Sequence, residues 1–485
     1  MKKSILSIML SFLLLLSFTG CESGSGTGST ESNEANSEKE SIGQLEMQKE
    51  TMPTYLDNVA SVKYPIGMWV GVPEFKFIID SNETITGQVD WTDAEFLEQF
   101  KMIAESGITL ASTPLGSFSV DHIIRSLEAS EEVGIDFLVW HAELNNVLLN
   151  TAISDKEAII QARRLTAEYA EYSSFYGNMI TDEPQVAEFN ALGVAARRYK
   201  ELFPDKMFYL NMFPVYATSV QLGIDSYEKY VEQYMETVGL DYFCYDNYPL
   251  KRGKEYGTTL IREDFLYNME LAHGAGEDVR VWTFLQSMGF GGNKDPNCVE
   301  DFRFQANASL AYGIEGIQWF CYWDPRYGGS ENFTSAYVTL DGKKTHRFDM
   351  AKQANAEIHA IWNVLENFEW ERVMTYIGTD NLIGENSAFN YLTTTNTHNR
   401  IYSVKAKKDT FAGVFKDGEG RDGFMFVNYD TPTSKEINTV EIQFKNCTQA
   451  VVYVNGERKQ VDVKNGAISL DLKAADAAFI IPLYI

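Results

Sequence analysis

The sequence predicts an α/β chain: a (β/α)8 TIM barrel followed by a small antiparallel β-sandwich. Three observations lead there. From Tyr64 to about Glu369, eight short β-rich apolar runs alternate with longer segments of helical period. Eight such units in roughly 300 residues match the repeat of a closed barrel. After about Thr375 the helical period stops, and short alternating strands separated by turn residues take over. A doubly wound open sheet is the alternative architecture. It carries a Gly-rich phosphate turn after its first strand, and the GVPEF that follows Val70 is not one.

The first 20 residues read as a secretory signal. Lys2 and Lys3 precede an apolar run from Ile5 to Phe18. At about 14 residues that run is shorter than the ~20 needed to span a bilayer. Its ending, FTGC, resembles a bacterial lipobox, with Phe18 where Leu is usual. The resemblance implies a mature chain that starts at Cys21 with lipid on its sulfur and amine. Such a lipoprotein is anchored to the membrane, at the cell surface or the outer face of the cell membrane. Residues 21–54 then form a tether. Glu22 to Glu50 is mostly Ser, Gly, Glu, Asn and Thr without an aromatic residue, too little apolar surface to offset chain entropy.

Residues 55–372 form the barrel. Its strands are IGMWV from Ile66, ITLAS from Ile108, IDFLVW from Ile135, YGNMIT from Tyr176, MFYLN from Met207, LDYFCY from Leu240, VRVWTFL from Val279 and IQWFCYW from Ile317. Thr92 with Glu95 three residues on is a capping box opening a helix through Ile103. Gly107, Gly134, Gly239 and Gly316 stand just before strands, where helix-ending glycines belong. Phe348 to Glu369 reads as a long closing helix. Residues 373–485 form the sandwich, from AGVFK, GFMFVNY, TVEIQFK, AVVYVNG, AISLDL and AAFIIPLYI. Its short polar hairpins show no catalytic cluster. A packing role fits it better than a carbohydrate-binding one.

Composition narrows the function. The 485 residues hold 41 Lys and Arg against 68 Asp and Glu, a formal charge of −27. That balance argues against nucleic acid, whose phosphates would be repelled. Aromatic residues make up 13%, which suits stacking on apolar sugar faces as well as core packing. Five Cys cannot build a disulfide scaffold. Cys244, Cys298, Cys321 and Cys447 lack zinc spacing, and His122, His273, His346, His359 and His398 are scattered away from His141. No metal or other cofactor is expected.

Barrel chemistry sits at the C-terminal ends of the strands. That rule selects Trp69 on strand one, His141 and Glu143 after strand three, Asp182 and Glu183 after strand four and Asn211 on strand five. It also selects Tyr245, Asp246 and Tyr248 around strand six, Gln286 on strand seven, and Trp323 with Asp324 after strand eight. Carboxylates, amides and rings gather on one rim. Glycosidic cleavage needs a proton donor, negative charge near the anomeric carbon and groups that hold hydroxyls. Glu183, Asp246 and Asp182 are the candidate catalytic carboxylates. Trp69, Glu143, Asn211, Tyr245, Gln286, Trp323 and Asp324 are the candidate substrate contacts, Trp323 as sugar platform.

From Tyr64 to Leu365 the chain resembles a clan A glycoside hydrolase. ASLAYGIEGIQWFCYW and LDGKKTHRFDMAKQANAEIHAI look like strand eight and the final helix of β-galactosidase-like barrels. In that clan Asn-Glu-Pro closes strand four. The matching tripeptide here is Asp182-Glu183-Pro184, so the resemblance implies Glu183 as general acid/base of a surface-anchored hydrolase of extracellular oligo- or polysaccharide. Asp182 departs from the usual Asn. Gln286 stands where the clan places its nucleophile Glu, and an amide cannot form the glycosyl-ester intermediate. Three routes are open. Asp246 or Glu143 supplies the second carboxylate. Or the substrate supplies its own nucleophile, as the likeness of the Asp-Glu pair to substrate-assisted N-acetylhexosaminidases implies, with Asp182 orienting a 2-acetamido group and Tyr245 bonding its oxygen. Or the chain is a non-catalytic glycan-binding lipoprotein.

Overall fold

A computed structural model describes residues 52–116, 118–254, 258–276, 279–328 and 332–484. The signal, Cys21 and nearly all of the tether lie outside the described residues. Each apolar run becomes one strand: β1 Ile66–Met68, β2 Leu110–Ser112, β3 Asp136–Trp140, β4 Phe175–Asp182, β5 Met207–Asn211, β6 Tyr242–Asp246, β7 Arg280–Gln286 and β8 Gly316–Phe320. All eight are parallel and lie side by side in chain order, with β8 paired to β1 through Ile66 and Ile317. Between β5 and β6 a bridge joins Met212 to Tyr245, and the Met212 N–H donates to the Cys244 carbonyl at 2.8 Å. The sheet closes there into a barrel.

Alternation along each strand divides interior from helix layer. Leu110, Leu138, Met179, Tyr209, Cys244, Trp282 and Phe284 fill the interior. Ile66, Val139, Leu210, Phe243, Tyr245, Leu285, Ile317 and Trp319 pack with the helices. Trp319 donates its indole N–H to Asn355 on the closing helix at 2.9 Å, which fixes its outward direction. The Thr92 capping box forms as expected and opens a helix over Asp93–Glu105. Gly107, Gly134 and Gly239 adopt positive φ, but Gly316 does not. Gly316 is the first residue of β8, and a Cβ there would meet the Trp282 ring at 2.5 Å. The helix-ending turn falls on Gly313 instead, at φ 69°.

The closing helix runs His346–Leu365, and the chain is already in a strand at Phe368–Tyr376. That strand pairs antiparallel with Thr410–Asp417, so the sandwich starts before residue 373. Two sheets make it, one of six strands and one of three, including the unforeseen strands Ile401–Ala406 and Glu457–Asp462. Phe424, Phe426, Val440, Ile442 and Ile480 fill the space between them. The other face of the six-stranded sheet lies on the barrel. Phe411 meets Tyr312, Tyr429 meets Phe304, and Asn307 donates to the Ala475 carbonyl at 2.8 Å. Burial on both faces explains why AAFIIPLY is apolar without a break. Each large apolar side chain buried there stabilises by roughly 1.5–3 kcal/mol. Barrel and sandwich accordingly form one compact unit.

The stretch after β1 folds as an antiparallel ribbon, Phe75–Ile79 against Ile85–Asp90, on the C-terminal side of the barrel. No helix among the described residues is long and apolar enough to cross a membrane.

Candidate active site

The end of β4 is shaped by one extra residue. Met179 lies opposite Tyr209, but Thr181 lies opposite Leu210 and Asp182 opposite Asn211, so Ile180 is inserted as a bulge. Met179 and Tyr209 face the interior while Ile180 and Leu210 face the helices. Without the bulge, strict alternation would turn Asp182 toward the helices. With it, Asp182 and Asn211 share the inner side. Bulges are used this way to re-aim a side chain beside a site.

Glu183 follows at φ 46°, in the left-handed region that non-glycine residues seldom occupy. Its N–H still donates to the Asn211 carbonyl at 2.8 Å, and the next carbonyl, of Pro184, accepts the Tyr230 hydroxyl at 2.7 Å. These bonds hold a conformation that costs on the order of 1–3 kcal/mol, a form of strain that gathers at functional sites.

On β6, Tyr242 and Cys244 face inward, Phe243 and Tyr245 outward, and Asp246 inward again. Asp246 is only 6% exposed. The Asn211 side-chain N–H2 donates to Asp182 Oδ1 at 2.9 Å and reaches Asp246 Oδ1 at 3.5 Å. Those two carboxylate oxygens are therefore no more than about 6.4 Å apart. Burial pushes the Asp246 carboxyl well above the ordinary aspartate range, and the charges of Glu183 and then Asp182 push it further. Asp182 opens to solvent along its outer edge, yet the protein packed around it raises its carboxyl too, offset in part by the Asn211 amide. Asp246 thus holds its proton to higher pH than an exposed aspartate does.

Aromatic rings wall this group. Trp69, Tyr248, Phe284, Phe290, Phe320 and Phe333 enclose a cavity of about 230 Å3 with Asp182, Glu183, Asn211 and Asp246 on its polar side. Tyr248 packs edge-on to Phe290 at 4.9 Å and tilts against Phe320 at 5.5 Å, while Trp69 meets Phe284 edge-on. The space is smaller than the ~300–1,000 Å3 of drug-sized pockets. A carboxylate cup lined by rings can hold one apolar sugar face, move a proton and shelter a developing positive charge.

Five expected contacts do not reach the cup. Tyr245 is fully buried on the helix side of β6. Gln286 is taken up by backbone: its Oε1 accepts the Leu250 N–H at 2.8 Å, and its Nε2 donates to the Leu250 and Lys294 carbonyls at 3.1 and 2.8 Å. The loops after β6 and β7 close over it. Glu143 sits in the first turn of the helix Ala142–Leu149, 73% exposed, and among the described residues its ion-pair partner is His141 Nε2 at 3.5 Å. Trp323 is fully buried edge-on to Trp91, not laid open as a platform. Asp324 caps the short helix Pro325–Tyr327 and pairs with Arg326, which also binds Glu83 on the ribbon. Of the expected residues, Glu183, Asp246, Asp182, Asn211, Trp69 and Tyr248 come together.

Sequence reasoning passed over Phe284, Phe290, Phe320 and Phe333. Phe284 and Phe320 were findable, since each stands at the inward alternation near the end of its strand. Phe290 and Phe333 come from loops whose course no pattern in the sequence marks.

No family model matches the sequence, and no curated protein does. Among solved structures, similarity extends to a β-galactosidase of the Antarctic haloarchaeon Halorubrum lacusprofundi, at 13% identity over 56% of this chain and 57% of that one, TM-score 0.39. The chain thus spans little more than half the length of that enzyme. A family 39 glycoside hydrolase from the gut symbiont Bacteroides cellulosilyticus WH2 shares 12% identity over 87% of this chain and 81% of that one, TM-score 0.46. A family 5 glycoside hydrolase from Bacteroides vulgatus ATCC 8482 shares 12% over 86% and 95%, TM-score 0.48. These structural neighbours are glycoside hydrolases. With TM-scores under 0.5, the chemistry of the cup rests on its own side chains.

Proposed function

We propose that the chain is a glycoside hydrolase that cleaves O-glycosidic bonds of an extracellular oligo- or polysaccharide. The observation that carries this reading is the convergence of Asp182, Glu183 and Asp246 on one aromatic-walled cup, where burial and their mutual charge raise the Asp246 carboxyl. Glu183, on the strained turn at the mouth, is the general acid/base. It gives a proton to the leaving oxygen as the glycosidic bond breaks, and a water then adds at the anomeric carbon and returns a proton to Glu183. Asp246, deeper in the cup, then carries the negative charge that faces the anomeric carbon, and Asn211 holds Asp182 and Asp246 in register. The rings of Trp69 and Tyr248 exclude water and strengthen these interactions. Glu143 and Tyr245 have no part in this scheme, which leaves Asp246 as second carboxylate and deprives an acetamido group of its expected Tyr245 partner.

Replacing Glu183 by Gln tests the role. Turnover of activated aryl glycosides should fall by ~10²–10⁴-fold, the usual worth of a positioned acid or base, with the melting temperature little changed. Undiminished turnover would remove Glu183 from the mechanism.

A second reading, glycan binding without cleavage, is favoured by Gln286, an amide locked in backbone bonds at the end of β7. Its mark would be saturable binding with no product over long incubation. The sequence further motivates lipid anchoring at Cys21 on the outer face of the cell membrane. Cys21→Ser should release the chain from the membrane fraction and abolish labelling by a fatty-acid probe; a variant that stays membrane-bound would contradict the anchor.

A further inference from the structure

Beside the cup lies a group of cations that the hydrolytic scheme does not use. Arg262 is tied by its N–H to the Pro249 carbonyl at 2.8 Å, one residue past Tyr248 of the cup wall. Its guanidinium lies 3.7 Å over the centre of the Tyr216 ring. Asp246 and Glu183 are among the charges that raise the Tyr216 hydroxyl, which puts this ring within electrostatic reach of both carboxylates. Lys251 lies on the ribbon Leu250–Arg252 paired with Thr259–Ile261. Its ammonium donates to Asn293 Oδ1 at 2.5 Å, and the Asn293 N–H binds the carbonyl of Phe290, a second wall residue. Both cations are thus fixed to the backbone that carries the cup.

Their charge is under-matched. Among the described residues, the carboxylate paired with Arg262 is Asp264, at 3.5 Å, and Lys251 bonds only the neutral Asn293 amide. Arg262 Nε is buried without a partner. Burial, and then the neighbouring Arg262, lower the Lys251 ammonium to about 8, with Asp264 opposing them in part. Among the described residues the two cations share the Asp264 carboxylate, and Asp246 and Glu183 act on the Tyr216 ring from the cup side.

We propose that Arg262, stacked on Tyr216, and Lys251 form a subsite flanking the cup for the acidic group of an anionic saccharide, a uronate or a sulfated sugar. The proposal rests on the cup taking a saccharide. The guanidinium fork matches the paired oxygens of a carboxylate or sulfate, and the stack on Tyr216 holds it ready. A neutral sugar offers the two cations only hydroxyl dipoles; an acidic one offers a full negative charge.

The test is calorimetric binding of defined oligosaccharides to the full chain carrying Glu183→Gln, which keeps the probes intact. The probes are galacturonate and glucuronate trimers, sulfated galactan trimers and the neutral counterpart of each. At least one acidic class should bind ~10-fold or more tightly than its neutral counterpart, a difference of about 1.4 kcal/mol, and the separate arms tell uronate from sulfate. Arg262→Gln and Lys251→Gln should each weaken that preference, and the double variant should abolish it while neutral binding and the melting temperature persist. Equal affinity for neutral and acidic trimers, or a preference that survives in the double variant, would overturn the proposal. The readout is binding, so a failure of hydrolysis alone would count against the cleavage reading and not against this subsite.

Discussion

Replacing Gln286 by Glu would restore, on paper, a carboxylate at the end of β7. The surroundings of Gln286 predict the opposite of a gain. Its Oε1 accepts the Leu250 N–H, and a carboxylate can keep that bond. Its Nε2 donates to two carbonyls, of Leu250 and Lys294, at 3.1 and 2.8 Å, in a fully buried position. An ionised carboxylate would lose both bonds and face two acceptors. The Leu250 carbonyl keeps the Lys294 N–H at 2.8 Å, so the Lys294 carbonyl is the group left unpaired, at a cost of about 1–3 kcal/mol, and a buried negative charge facing two acceptors adds to the loss in the ionised form. A protonated carboxyl can donate to the Lys294 carbonyl, which removes most of that loss. The introduced acid must therefore have a folded pKa above its unfolded value near ~4.3. Between those values the folded chain binds more protons than the unfolded one, and stability falls as pH rises by up to ~1.4 kcal/mol per unit. Urea unfolding of both proteins at about pH 5 and about pH 8 reads this directly. The variant's midpoint should drop at both, and further at the higher pH, without new hydrolysis. Equal stability at both pH values, or faster turnover, would mean that the side chain opens to the cup and that the clamp is misread.

Three further outcomes follow from the same geometry. The folded pKa of Asp246 is raised, so its contribution is fully present below the unfolded value near ~3.9 and is lost as pH climbs toward the folded one. Asp246→Asn should melt higher than the wild type near neutral pH, with the gap shrinking toward pH ~4; a gap that does not vary with pH would contradict the buried carboxyl. Tyr245→Phe should leave turnover within about twofold, because the ring lies on the helix side of β6, and a loss beyond tenfold would place its hydroxyl in the site. A chain ending at Leu365 bares Phe304 and Tyr312, which the sandwich covers through Tyr429 and Phe411; it should be insoluble or unfolded, and a soluble, active barrel would refute the packing role.

The barrel was legible because its strands are buried on both faces and read as unbroken apolar runs, while the capped helices between them keep a different period. The same physics made the sandwich edge hard to place. FEWERVMTY alternates charges with apolar residues, but it abuts a helix of similar composition, so the switch at Phe368 left no break. At the site, the rule that chemistry gathers at strand ends placed Asp182, Glu183, Asn211 and Asp246 together. What it lacked was parity. Tyr245 and Asp246 are neighbours on one strand and must point to opposite sides, so they could not both line the cup. At β4 parity alone would have misled, since the bulge at Ile180 reverses it and nothing in TDEP announces the bulge. Trp323 and Gln286 were misjudged for another reason. Their burial is imposed by loops distant in sequence, those carrying Trp91 and Leu250.

The central claim is that the carboxylates of this cup do the chemistry, with Asp246 as the partner of Glu183. Turnover of Asp246→Asn on a substrate of the wild-type enzyme, measured where both proteins are fully folded, tests it most directly. The account predicts a loss of at least ~10²-fold, the scale of a lost acid–base partner, from a protein as stable as its parent or more so. Turnover within a few-fold of the wild type would mean that the reaction takes place somewhere else on the molecule.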